Sequence, residues 1–317
     1  MQAEIPQPPV LHGNTPSQKP AAVAAAFAEW PTVLLLTITG AVWGIAMLLP
    51  VGWHWLSFLL LVLALTQHSS LSHEILHGHP FRSERAGTLL GLFQPGLFVP
   101  YLRFKALHLA HHRNERLTDP YDDPESNYLD PAVWNSLPDW KKKLLRFNNT
   151  LLGRMVLGPT LSSYVFYRDD LVRIRAGDRV VLAHWLLHLP GVTLTLWLVS
   201  LSAVPVWLYL LACYGALSVL RIRTFLEHRA HERASGRSVV IEDRGLLALL
   251  FLNNNYHLVH HMHPKVAWYR LPALYRSRRS TYLQRNQGYV YRSYSDVFRR
   301  YLLKGKDPVA HPLWRRD

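Results

Sequence analysis

Four histidines crowd into residues 253–264, NNNYHLVHHMHP: His257, His260, His261 and His263. The spacing of His257, His260 and His261 recurs once, at His108, His111 and His112 in HLAHH. On a helix, positions i, i+3 and i+4 share one face. Each box therefore predicts three imidazoles converging on one point, as a multi-histidine metal centre requires. HEILHGH adds His73, Glu74, His77 and His79, and FLEHRAHE adds Glu227, His228 and His231. Imidazole suits iron, copper, zinc and nickel, so the donors alone do not name a metal. The single cysteine, Cys213, excludes an internal disulfide or a thiolate cluster, which leaves nitrogen and oxygen ligands.

The boxes need elements to hold them. Residues 31–50 are apolar and uncharged, with Pro at both ends, and are long enough to cross a bilayer. Residues 54–72 carry no Asp, Glu, Lys or Arg, and Trp53 and Trp55 at their start suit a membrane interface. They run directly into His73. Residues 181–200 and 203–220, broken at Pro205, form a second uncharged pair, in which His184 and His188 read as packing or cavity-lining groups. Two apolar but Gly/Pro-interrupted patches, 86–102 and 150–166, are expected to lie on the interface.

Charge sets the topology. Of the 35 Lys and Arg, fifteen lie between the two pairs of spans, nineteen after the second pair, and one, Lys19, before the first. The short connections inside the pairs carry none. By the positive-inside rule the N-terminus, central loop and C-terminal region face the cytoplasm, which puts every histidine box on one side. The net charge of +14 is then topology with some attraction to anionic lipid, and no nucleic-acid-binding module accompanies it. The expected fold is all-α: an integral membrane protein with four transmembrane helices in two hairpins and a cytoplasmic helical cap carrying a histidine-rich di-metal site. Residues 1–29 are expected to be a flexible cytoplasmic tail without signal-peptide features, 30–275 the membrane domain, and 276–317 a basic cytoplasmic tail.

Other chemistries fit fewer of these residues. HEILH alone matches the HExxH signature of zinc proteases, including intramembrane ones. A catalytic zinc needs only three protein ligands, which leaves both HxxHH boxes without a role. Haem needs one or two axial histidines rather than clusters. A metal transporter predicts ionisable groups inside the spans, and these carry only histidines. Histidines decorating an interfacial helix explain any one of the eighteen, but not the repeated spacing.

HEILH, HLAHH and HLVHH in this order, around two transmembrane pairs, resemble the integral-membrane fatty acid desaturase and hydroxylase superfamily. The resemblance covers about residues 30–275. It implies two iron ions held mainly by histidine on the cytoplasmic face, O2 as co-substrate and an external electron donor. The ligands it implies are His73, His77, His108, His111, His112, His257, His260 and His261, with His228 as a further ligand and His231 as its substitute. His79 and His263 are expected outside the inner set. Glu74, Asp119, Asp122, Asp123, Glu227 and Asn254 are candidates to hold the ligand histidines, although the run DPYDDPE also reads as a solvated turn. His311→Ala is expected neither to abolish turnover nor to lower iron content.

The run NYHLVHHMHPKVAWYRLP resembles bacterial acyl-lipid desaturases, and also carotenoid ketolases and hydroxylases. HEILHGH departs from the ketolase first box, HDxxHG, so the implied reaction is introduction of a double bond into the fatty acyl chain of a membrane lipid or acyl thioester. Hydroxylation or ketolation of a lipid or carotenoid is the alternative. Without a cytochrome b5 signature (HPGG) or iron–sulfur cysteines, the electron donor is expected to be a separate ferredoxin or similar protein.

Overall fold

A computed structural model describes residues 29–81, 83–113 and 116–314. The expected N-terminal tail lies outside the described residues, apart from Glu29. The described chain is mostly helical, and four helices are long and apolar enough to cross a membrane. The first, α1 (Trp30–Leu48), has Pro31 in its first turn, where the missing N–H breaks no helical hydrogen bond. The second, α2 (His54–Leu76), runs past the predicted end and carries His73 and Glu74 in its last turn. It stops because Gly78 adopts φ 99°, a left-handed conformation that glycine takes without a side-chain clash. That stop turns His79 away from His73 and His77.

Six helices follow: α3 (Glu84–Leu92), α4 (Tyr101–Arg113), α5 (Pro131–Ser136), α6 (Asp139–Asn148), α7 (Leu151–Val156) and α8 (Gly158–Arg175). The two interrupted patches correspond to α3 with the loop after it, and to α7 with the first half of α8. Next come α9 (Arg179–Ser200) and α10 (Val206–Thr224). Asp178 caps α9 through the N–H groups of Val180 and Val181. Helix α10 begins after Pro205 and extends beyond residue 220 by one turn, which contains Arg221 and Arg223. Both α1 and α10 pack on α2. Their shared core contains Leu61, Leu65, Tyr209, Ala212 and Ala216. Trp43 donates to the Tyr209 hydroxyl at 2.9 Å, and that hydroxyl donates to the Pro95 carbonyl at 2.8 Å.

A buried ion pair fixes α4. Arg103 donates to both carboxylate oxygens of Asp170 on α8, at 2.8 and 2.6 Å, and Trp185 on α9 donates to the same carboxylate at 2.9 Å. Removing the arginine strands a buried carboxylate, so Arg103→Met is expected to cost about 3–5 kcal/mol. The double variant Arg103→Met/Asp170→Leu should recover most of the loss in a thermal melt. Equal melting temperatures for wild type and Arg103→Met would remove the pair from the account of stability.

Beyond α10 the chain forms β1 (Val240–Ile241), α11 (Leu246–Leu250), α12 (His257–Met262), α13 (Leu271–Ser277), α14 (Arg279–Arg285), β2 (Val290–Tyr291) and α15 (Tyr294–Tyr301). The strands pair in parallel, Val240 with Val290, a small departure from the all-α expectation. The segment set apart as a tail, 276–317, is folded onto this region through its described residues. Tyr289, Tyr294 and Val297 share a core with Leu226, Val239 and Phe251. Exposed arginines interleaved with these buried residues, Arg292, Arg299 and Arg300, hid them in the composition of the segment.

Candidate metal centre

The structure gathers nine of the predicted histidines into two groups. One contains His73, His77, His108, His112 and His260; the other contains His111, His228, His257 and His261. Within each group the available ligand atoms all lie within 4.8 Å of one another. A single box does not converge on one point, as its spacing suggested. Helical positions i and i+4 differ by about 40° around the axis, whereas i+3 lies about 100° from i+4. The i and i+4 residues of each box stay together and the i+3 residue crosses over. His108 and His112 of α4 join His260 of α12, while His257 and His261 of α12 join His111 of α4. His73 and His77 complete the first group and His228 the second.

The nitrogens face inward without enough protons between them. Nε2 of His228 lies 2.9 Å from Nε2 of His111 and 3.0 Å from Nε2 of His257. In the other group, Nε2 of His77 lies 3.2 Å from that of His108, and Nε2 of His260 lies 3.1 Å from that of His112. The opposite nitrogens are held from outside. His111 Nδ1 faces Asp123 at 2.8 Å, His108 Nδ1 faces Glu125 at 2.9 Å, and His257 Nδ1 faces the Asn254 amide oxygen at 3.3 Å. Those acceptors place the proton on Nδ1 and leave Nε2 as a bare lone pair. The Nε2 atoms of His73 and His261 are buried without any partner. Converging lone pairs of this kind repel one another and suit a cation, so the donor set fits two metal ions.

Charge in the site agrees. Burial, reinforced by neighbouring histidines, holds His77 down to about 2 and His112 to about 3. Burial likewise holds His228, His257, His260 and His261 well below the ordinary histidine range. Neutral imidazole is the ligating form. His111 is the exception. Burial opposes its charge, but Glu125 and Asp123 outweigh burial and lift it to about 9. The negative field that would hold a proton there equally suits a metal ion.

The acidic candidates divide. Asp123 accepts from His111 and from the Thr118 backbone N–H, at 2.8 Å each. Glu227 accepts from Asn254 at 3.3 Å and lies 3.3 Å from Arg223 and 3.6 Å from His257. Glu74 accepts from the Trp268 backbone N–H at 3.1 Å, beside His73. This occupies Glu74 in joining α2 to the segment after α12, not as the free base of an HExxH protease. Asp119 instead shapes a turn, accepting from the N–H groups of Tyr121 and Asp122, and Asp122 pairs with Arg116. Glu125 was missed by residue-level reasoning. The available signal was Asp123-Pro124: proline at the second position of a turn, closed by Ser126 N–H to the Asp123 carbonyl at 3.0 Å, brings Glu125 back beside α4.

The remaining histidines among the described residues sit outside both groups. His231 Nδ1 bonds the Arg233 backbone, His79 pairs with Glu29 at 3.4 Å, and His263 faces the Tyr282 hydroxyl at 3.2 Å. His188 bonds the Leu97 carbonyl at 2.7 Å, as a packing group. His311 also lies outside both groups but has a structural role. Its Nδ1 accepts from Leu313, so Nε2 carries the proton and donates to the Thr118 hydroxyl at 3.2 Å, directly behind Asp123. His311→Ala is therefore expected to cost about 1–3 kcal/mol in a melt, with metal retained at saturation. An unchanged melt would return the residue to an incidental role.

A cavity of about 740 Å³ reaches His228 and Glu125 from one side; its wall combines apolar residues of α8 and α10, including Leu161, Val165, Leu217 and Leu220, with charged ones such as Asp170 and Arg221. A cavity, a paired set of histidine groups and four membrane-length helices occur together. The fatty acid desaturase family model matches residues 50–293, and the chain belongs to that family of membrane oxidoreductases. It is similar to two beta-carotene ketolases from strains of Paracoccus sp. One is 27% identical over 70% of this chain and 76% of its own length; the other is 26% identical over 72% and 78%.

Proposed function

We propose that the protein is an O2-dependent di-iron oxidase of the membrane that introduces a double bond into a fatty acyl chain. The observation that carries this reading is the pair of histidine groups beside a cavity of about 740 Å³ whose wall includes Leu161, Val165, Leu217 and Leu220. The nine gathered histidines hold the metal ions, and Asp123, Glu125 and Glu227 fix their orientation and tautomers. Bound there, iron supplies the oxidising power of O2 needed to take hydrogen from an unactivated C–H bond. Leu161, Val165, Leu217 and Leu220 line the substrate chain and exclude water from it. Glu125, on the cavity wall, accepts from His108 Nδ1; burial opposes its charge, but His111 and His108 outweigh burial and keep it ionised. The basic segments and the metal site face the cytoplasm, where a separate ferredoxin-like protein delivers electrons.

Oxygenation of a carotenoid ring is the second reading, favoured by the ketolase relatives. Metal analysis of the purified protein, together with lipid and pigment profiles of expressing cells, separates the two. Two irons per chain with new acyl double bonds is the expected result. Oxygenated carotenoids would keep the site and change the reaction, whereas one zinc with unchanged lipids would overturn the di-iron reading.

A further inference from the structure

The cavity has a second chemical end. Arg154 of α7 and Arg221 of α10 both line it. Their stems converge on Gly158, where an added Cβ would stand 3.1 Å from the Cδ of Arg154 and 3.6 Å from the Cδ of Arg221. Neither forms an ion pair among the described residues. Arg154 is 7% exposed; its Nη1 donates to the Asn127 amide oxygen and its Nε to the Asn148 carbonyl at 3.1 Å. Arg221 donates from Nη2 to the Ser162 hydroxyl, and its Nε is buried with no partner. Most of the N–H donors of two adjacent guanidinium groups are thus unused.

The acids on the cavity wall are committed elsewhere. Asp170 pairs with Arg103, Asp169 with Arg168, Asp123 with His111, Glu125 with His108, and Glu227 with Arg223. Arg154 is buried and Arg221 partly so, and although Glu227 and Glu125 lie near enough to favour the Arg221 charge, neither acid forms an ion pair with either arginine, so an added anion would be favoured there. Arg221 also stands in the last turn of a membrane-length helix, the depth at which lipid head groups lie.

We propose that Arg154 and Arg221 form a subsite for the anionic head, phosphate or carboxylate, of an amphiphile whose apolar tail runs along Leu217 and Leu220 toward His228. Guanidinium groups recognise such oxyanions by charge-assisted, often bidentate hydrogen bonds. The proposal rests on the oxidase reading only for the fate of the tail, and it selects within that reading. A carotene has no charged head and leaves both guanidinium groups unanswered.

Binding to the purified protein tests this without turnover. The probes are radiolabelled hexadecyl phosphate, hexadecanoate and hexadecanol, in detergent at fixed pH. Wild type is expected to hold one or both anions on the order of tenfold more tightly than the alcohol. Arg221→Met should lose that preference while keeping its affinity for hexadecanol, and Arg221→Lys should restore part of it. Whichever anion binds more tightly names the head group. Equal binding of all three probes by wild type, or an anion preference that survives in Arg221→Met, would overturn the subsite. The wild-type comparison stands by itself if the methionine variant does not fold. Because no product is measured, failure of the oxidase reading would show in the metal and lipid assays and leave this result legible.

Discussion

His228→Ala is expected to retain about one metal ion per chain and to lose turnover, whereas His77→Ala should retain close to two and lose activity only in part. The asymmetry comes from the composition of the groups. His228 belongs to the group of four, and its Nε2 sits between those of His111 and His257 at 2.9 and 3.0 Å. Its removal leaves three donors and a gap between two of them. His77 belongs to the group of five and lies just past the end of α2, so its removal leaves four. His231→Ala is the control three residues away, since its ring is tied to the Arg233 backbone outside both groups. Iron per chain and product formed, measured on the same preparations, separate these outcomes. Two irons and full turnover in His228→Ala would sink the assignment, as would loss of iron in His231→Ala.

The four apolar spans were legible because twenty uncharged residues in a row leave few other structures open to a chain. The boxes were legible because helical spacing places side chains before any fold is known. The division of the histidines into two groups was not, because it depends on how α4 and α12 face each other. A sequence shows that His108, His111 and His112 share a helix, but the partner helix decides that His111 leaves the other two. The folded C-terminal segment was hidden by composition. Between residues 276 and 301, Tyr282, Tyr289 and Tyr294 are buried while the arginines around them keep their charges at the surface, so the average over the stretch reads as solvated. Two acids in one short run, Asp119 and Asp123, had equal standing until the turn at Pro124 pointed only the second at a histidine.

That difference makes Asp123→Asn the sharper test of how the site is held. Asp123 faces three donors: Oδ1 accepts from His111 Nδ1 at 2.8 Å and from the Glu125 N–H at 3.0 Å, and Oδ2 accepts from the Thr118 N–H at 2.8 Å. Asparagine has one acceptor and one NH2, so either of its orientations sets a donor against a donor. With NH2 toward Thr118, the carboxamide loses its anchor. With NH2 toward His111, the ring must accept on Nδ1 and carry its proton on Nε2, which removes the lone pair directed at His228. Both orientations also remove the negative charge that, with Glu125, favours a cation beside His111. The expected loss is about 10–100-fold in metal affinity or activity, read as iron retained per chain after dialysis against graded chelator. Asp119→Asn replaces a turn-forming carboxylate away from the histidines and should retain iron as wild type does. If the two variants lose iron alike, acidic charge in the loop as a whole holds the site, and the hydrogen bond to His111 has no special part in it.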